Sequence, residues 1–507
     1  MFEGVFFFKT GRRLHIMEET QSKNKYRALF LKPWEKGNKN IVRDFVYGCW
    51  CNGKRIGGMQ MPPINEIYCA THARSEVVDA VFIDAQTSWD RFEEIESSGY
   101  ASIDCLILMC STQSFRSDLR ILEKAKSLKP AIKTVLFGSH PTFMPEYALA
   151  GAVDFLVRKE PEETIRVLLD ALARNEDTSR INGTGYRDKD GKVVLNANRE
   201  FCDMDVLPIP DRTLLPENAD YFNPVVHRLP YTTIQTSRGC PGRCIFCTSP
   251  EFYGKKYRAR SAENVLKELR EIKKLGYREV FFRDETFTAL KKRNAEICQA
   301  MINEKLNLSW IANGRVDMID KEMMALMKKA GCHMLKFGVE TSSDELLKTY
   351  RKGTTSEQAR ACFKAARELG IETHAHLVFG GPGESWNTIN TTIKFVKEIK
   401  PSTASFGILT PYPGTELFAM VASMNPSIQD GSDSNMDNLH TEGFYSKEVS
   451  GMTGDELSLA VKRAYRKFYL RPSYVLGKLL RIRSFEQLVI LVISGLNILS
   501  FSISGKK

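Results

Sequence analysis

Three cysteines stand close together in the segment TSRGCPGRCIFCTS: Cys240, Cys244 and Cys247, in the order C-x3-C-x2-C. Three thiolates can hold three irons of a cubane and leave the fourth iron without a protein ligand, open to chelation by a small molecule. A structural zinc site asks for four ligands, with a second Cys or His pair at defined spacing. The nearest histidine, His227, lies before the strand that leads into the trio, so the spacing favours an iron–sulfur centre with chemistry to do. The remaining cysteines do not suggest a disulfide framework, because twelve in 507 residues are too sparse. The opening MFEGVFFFKTGRR sets Glu3 ahead of a short apolar run and has no small-residue cleavage site. We therefore expect no signal peptide and a reducing cytoplasm.

Such a trio needs a scaffold, and the chain alternates short apolar runs with amphipathic stretches. Strands are predicted at 41–47, 77–83, 103–110, 132–138 and 153–157, with helices such as Asp118 to Leu128 and Glu162 to Leu172 between them. Near-continuous apolar strands separated by helices mean a parallel sheet covered on both faces. Residues 181–230, rich in Asn, Asp, Gly and Pro, read as a linker with at most a small hairpin. A second series follows, with strands near 231–236, 279–283, 308–312, 334–339, 372–379 and 403–409. One of its helices, Ser356 to Leu369, is opened by a Thr355/Gln358 capping box. Six βα repeats predict a partial, open barrel with its chemistry at the C-terminal strand ends. The expected fold is α/β: an unassigned extension over 1–40, a doubly wound flavodoxin-like domain over 41–180, the linker, a partial (βα)6 TIM barrel over 231–415, and a helical region over 416–507.

The net charge of +11 comes from scattered basic residues mostly accompanied by acidic ones, and no RNA-binding fingerprint is present. Nucleic acid is not an expected partner. The last apolar run, Leu488 to Phe501, is short for a membrane span and is preceded by Arg471, Lys478, Arg481 and Arg483. It suits either a core helix packed on the barrel or an interfacial helix on anionic lipid.

The cysteine trio directly after a strand, with Phe246 before its last member, resembles the signature of the radical SAM superfamily. The resemblance implies a [4Fe-4S] cluster on the trio, S-adenosyl-L-methionine (SAM) chelating the open iron, and a one-electron donor such as flavodoxin or ferredoxin. It also implies reductive cleavage of SAM to a 5'-deoxyadenosyl radical. Supporting residues fall at later strand ends. Asp284 and Glu285 in RDETFT could bind the SAM ammonium, with a helix N-cap as the alternative. Asn313 and Arg315 in NGRVD could meet a carboxylate, with a surface ion pair as the alternative. Glu340 in FGVETSS resembles the family's ribose-contacting segment. Gly380, Gly381 and Gly383 in FGGPGES would let backbone approach the adenosyl group, and Pro411, Tyr412 and Gly414 repeat the theme.

The first sheet is similar to the cobalamin-binding domain that precedes the barrel in one radical SAM class. The matching segments carry Ser111 and Thr112, then Gly138, Ser139 and His140, then Glu160, all at carboxyl ends of strands, where doubly wound sheets bind ligands. The D-x-H-x-x-G motif that supplies an axial histidine elsewhere is absent. His140 is a candidate ligand, although a histidine in such a loop can equally be a hydrogen-bonding residue. A sheet that only packs on the barrel is the competing reading. Cys49 and Cys51 could bind an auxiliary metal, but two ligands are not a site. The expected function is methyl transfer to an unactivated carbon of a small-molecule or lipid-like substrate. The alternatives are an oxidoreductase or cyclase with the same cofactors, and a non-catalytic sensor.

Overall fold

The computed structural model describes residues 25–34, 43–46, 60–216, 221, 223–428, 445–480 and 485–503. Its first sheet holds β1 (Tyr26–Lys32), β2 (Val78–Asp84), β3 (Cys105–Cys110), β4 (Lys133–Gly138), β5 (Phe155–Val157), β6 (Thr184–Arg187) and β7 (Val193–Leu195), in the order β2-β1-β3-β4-β5-β6-β7. The first five strands are parallel in the 2-1-3-4-5 order of a flavodoxin-like fold. Their sequences explain this: all of Cys105–Cys110 is buried, and helices Phe115–Leu128 and Glu162–Ala173 cover the faces.

Three expectations change here. The first strand lies at Tyr26–Lys32, inside the stretch read as an extension, whereas 43–46 of the expected strand 41–47 is irregular. The segment read as a linker with at most a small hairpin does hold one, β6–β7, but its β6 pairs antiparallel with β5 and extends the sheet. The sheet is therefore mixed.

The second unit contains β8 (Tyr231–Ile234), a two-residue ribbon of β9 (Ser237–Arg238) with β10 (Arg258–Ala259), then β11 (Glu279–Phe282), β12 (Ser309–Gly314), β13 (Cys332–Glu340), β14 (Glu372–Phe379) and β15 (Thr403–Ile408). Its six long strands are all parallel, ordered β15-β14-β13-β12-β11-β8. No pairing joins β15 to β8 among the described residues, so the barrel is open. The capping box at Thr355 and Gln358 is present. A further helix, Gly454–Tyr469, lies along β15: the Tyr469 hydroxyl accepts from Ala404 N (2.9 Å) and donates to Ala404 O (2.6 Å).

The two units share one apolar cluster that runs from Ala28, Phe45 and Phe137 to Phe252, Phe281 and Ile311, with the Phe45 and Phe252 rings stacked at 5.1 Å. Buried ions reinforce the contact. Glu268 of the barrel, fully buried, takes Arg212 Nη2 at 2.5 Å, Tyr68 Oη at 3.4 Å and Arg260. Arg283 pairs with Asp44. The C-terminal helix Phe485–Ile503 rests on Gly454–Tyr469, with Phe501 edge-on to Tyr465 at 5.4 Å. Its Leu488, Val492, Leu496 and Leu499 are exposed. No helix among the described residues is long and apolar enough to cross a membrane.

Candidate functional site

The chain leaves β9 at Gly239, whose φ of +86° suits glycine, and turns into the cysteine loop. The loop is held by backbone bonds from Ile245 N to Tyr350 O (3.2 Å) and from Leu417 N to Ile245 O (2.9 Å). Cys240 Sγ lies 3.1 Å from Thr286 Oγ1 and accepts from Gly242 N at 3.3 Å. Cys240, Cys244 and Cys247 are free thiols that line one cavity of about 110 Å³ at the C-terminal ends of the barrel strands. Burial raises the thiols of Cys244 and Cys247, and for Cys247 the other two sulfurs push in the same direction. A cationic group bound among them would relieve that crowding. Such a donor set fits an iron–sulfur cluster.

Phe246, Glu285, Asn313, Arg315 and Glu340 line the same cavity. Glu285 has a buried carboxylate oxygen with no partner, and burial holds its carboxyl well above the usual range; a cationic ligand would reverse that. Asn313 donates to Asp284 O at 2.9 Å. Arg315 grips Asp317 through Nε (3.0 Å) and Nη2 (2.9 Å) and donates to Lys352 O at 2.8 Å. Glu340, 1% exposed, sits at φ +64° where the β13–β14 register shifts, and pairs with Lys352. Strained backbone in a carboxylate that faces a cavity is a common mark of a binding position.

Other expected residues take different roles. Asp284 does not line the cavity. Its carboxylate is consumed by Thr236 N (2.6 Å), Thr236 Oγ1 (2.5 Å) and Ser237 Oγ (2.6 Å), so it ties β8 to β11 and leaves Glu285 as the open acid. Gly380 and Gly381 are also absent from the lining: a Cβ on Gly380 would strike Leu457, and one on Gly381 would strike the Tyr350 hydroxyl. Sequence reasoning missed Lys336, Lys352 and His376, and Asp44 and Arg283 at the seam of the two units, all of which line the cavity.

The strand ends of the first sheet form a second constellation. Gly138 has φ +120° and lies so close to Cys110 O that a Cβ would collide with it. Ser111 is satisfied internally through Ser114, which donates to Asp118 at 2.6 Å. Thr112 Oγ1 lies 3.4 Å from His140 Nδ1. His140 packs against Phe115, the rings tilted with centroids 4.4 Å apart, and burial lowers its pKa to about 3, so it is neutral. His140 Nε2, Ser139 Oγ and both amide atoms of Gln113 are buried without partners. Native interiors rarely leave such groups unpaired, and a macrocycle bearing amide arms would pair them, so these loops fit cobalamin. Glu160, expected at the crevice, gives its two oxygens to Arg238 and Arg258 and so joins the two units. Cys49 and Cys51 lie outside the described residues.

Comparison with known proteins identifies a family for each of the two units. The radical SAM superfamily matches residues 234–396 and the B12 binding domain matches residues 57–169. The chain is 31% identical over 433 residues to an uncharacterized methyltransferase of Pyrococcus horikoshii, covering 83% of this chain and 91% of the relative. It is 30% identical over 380 residues to the anaerobic magnesium-protoporphyrin IX monomethyl ester cyclase of Rubrivivax gelatinosus, covering 72% and 67% respectively. In fold it is similar to the cobalamin-dependent SAM radical enzyme OxsB (TM-score 0.70, 18% identity, 94% of this chain and 72% of that one). It is also similar to the radical SAM methyltransferase TsrM of Kitasatospora setae (TM-score 0.63, 18% identity, 80% and 77%).

Proposed function

Because this chain belongs to the radical SAM superfamily, in the family whose members carry a B12-binding domain, we propose that it transfers a methyl group to an unactivated carbon of a small molecule. When bound, the family's [4Fe-4S] cluster and SAM would supply a 5'-deoxyadenosyl radical, and SAM and cobalamin the methyl group; the protein contributes position and shelter. In this reading Cys240, Cys244 and Cys247 hold the cluster. Glu285 neutralises the cationic part of SAM, Arg315 and Asn313 hold its carboxylate end, and Glu340 accepts from the ribose hydroxyls. Phe246 packs beside the cluster. The turn at Gly380 and Gly381 acts from behind, by letting Leu457 and Tyr350 close on the loop that borders the cavity.

On the other side, Ser111, Thr112, Gly138, Ser139 and His140 form the floor for cobalamin, and Glu160 with Glu162 fixes that floor to the cluster loop through Arg238. His140 acts as a neutral hydrogen-bonding residue against Thr112. The observation that carries the reading is the shared cavity: the three thiols and the barrel-end residues open onto the same space as Asp44 and Val46 of the first unit. Chemistry that draws on groups held by both units would need such a seam. The relative that is a cyclase favours a second reading, radical chemistry on the same cofactors without methyl transfer. The exposed apolar side of the helix Phe485–Ile503 fits a peripheral contact with lipid and a lipid-like substrate.

The deciding experiment is anaerobic. The cluster is reconstituted with and without hydroxocobalamin, reductant and SAM are added, and 5'-deoxyadenosine and S-adenosylhomocysteine are quantified. Methyl transfer predicts both products, the second dependent on cobalamin. 5'-Deoxyadenosine with no S-adenosylhomocysteine points to the cyclase or oxidoreductase reading.

A further inference from the structure

At the opposite end of the barrel, away from the cavity, two histidines and two carboxylates gather beneath the N-terminal ends of β11, β13 and β14. Glu279 begins β11, His333 is the second residue of β13, Glu372 begins β14, and His227 lies four residues before β8. Candidate ligand atoms of His227, His333 and Glu372 all lie within 4.8 Å of one another, and His227 Nε2 is 3.0 Å from Glu372 Oε2.

Glu279 organises both histidines. It is fully buried, it accepts the backbone N of His227 (3.1 Å) and of Arg228 (2.9 Å), it takes the Ser309 hydroxyl at 2.6 Å, and it lies 2.8 Å from His333 Nε2. A carboxylate on one ring nitrogen fixes the proton there and presents the lone pair of the other nitrogen, which is the arrangement found behind metal-bound histidines. His333 Nδ1 is buried and has no partner. A buried imidazole nitrogen without a partner is costly to leave so.

From this juxtaposition we infer a divalent transition-metal site of the zinc type, with His227, His333 and Glu372 as ligands and Glu279 as the carboxylate that orients them. Nitrogen and oxygen ligands at about 2.0–2.1 Å from a tetrahedral ion lie roughly 3.4 Å apart, close to the His227–Glu372 separation of 3.0 Å. The two imidazoles lie face to face, with centroids 4.0 Å apart, so one ring turns to bring both lone pairs onto the ion. Two carboxylates balance the charge of the dication. Lys478, on helix Pro472–Leu479, faces His227 and Glu372 and opposes it, which sets the affinity below that of an all-cysteine site. At the bottom of a barrel such a site stabilises instead of catalysing: it would staple the segment entering β8 to two other strands. The inference is independent of the activity proposed above.

The test uses the full-length protein with its cluster reconstituted, exposed to zinc and then desalted. We expect about one zinc per chain beyond the iron, with only nitrogen and oxygen neighbours in its X-ray absorption spectrum. Zinc should be lost in His333→Ala and in the milder, surface-facing His227→Gln, while the iron content is unchanged. The same zinc should raise the melting temperature of the wild type and leave that of His227→Gln where it was. Zinc with sulfur neighbours, which would mark occupation of the cysteine trio, overturns the inference. So does retention of zinc by His227→Gln, or the absence of bound zinc from the wild type.

Discussion

Glu162→Gln isolates the coupling between the two units, because it removes one charge and almost no volume. Arg238, 1% exposed and two residues ahead of Cys240, is held by Glu162 through both guanidinium nitrogens, and its Nη1 also reaches Glu160 at 3.3 Å. Arg258 leans on the same Glu160. With Glu162 neutral, two guanidiniums share a single carboxylate in a largely buried site. Breaking a buried pair costs about 3–5 kcal/mol, and because Glu160 retains part of the partnership we expect about 3 kcal/mol, the lower end. Arg238→Gln should cost a similar amount by stranding Glu162. The double variant replaces an ion pair with two amides, so the two losses should overlap by about 2 kcal/mol. The assay is anaerobic urea unfolding of all four proteins, followed by cluster absorbance for the loop and by tryptophan fluorescence for the whole. Losses under about 1 kcal/mol in each single variant, or strict additivity in the double, would refute the reasoning.

Gly138→Ala places a Cβ against Cys110 O in a backbone region reserved for glycine, so it should cost at least about 1–3 kcal/mol and abolish cobalamin retention on a desalting column while leaving iron in place. His140 carries a pH signature. Its folded pKa of about 3 is below the unfolded value of 6.5, so the unfolded chain binds the extra proton first. The apo protein is therefore fully favoured by this group above pH 6.5 and loses up to about 1.4 kcal/mol per unit as pH falls toward 3. His140→Asn should flatten that part of the stability profile, and an unchanged slope would count against burial of the ring. Glu340→Gln takes the charge out of its pair with Lys352 and removes an acceptor, so SAM binding by equilibrium dialysis should weaken roughly tenfold or more, with iron content unchanged.

Much of this was legible in the chain because buried parallel strands write themselves as apolar runs; Cys105–Cys110 and Glu372–Phe379 are examples. The first strand was not, for YRALFLK carries Arg27 and Lys32 at its ends in a Lys- and Asn-rich setting, whereas IVRDFVY imitates a strand but runs irregular across 43–46. The choice between Asp284 and Glu285 is made by Thr236 and Ser237, almost fifty positions away, whose hydrogen bonds consume one acid and leave its neighbour open. Lys352 gave no local sign either. Its partnership with Glu340 depends on Gly338, where any side chain would fill the space the pair occupies.

An open barrel has two raw edges, and β15 is one of them. Tyr469 takes both polar groups of Ala404, and the Tyr465 hydroxyl lies 3.4 Å from Phe406 N, so the helix Gly454–Tyr469 answers the edge with phenols where a seventh strand would otherwise serve. Unpaired edges recruit other chains. A chain shortened before residue 454 would thus expose a ready template for self-association, and its failure would show first as aggregation instead of as lost chemistry. Tyr469→Phe, which deletes one hydroxyl and spares the packing, would be the mildest form of the same lesion.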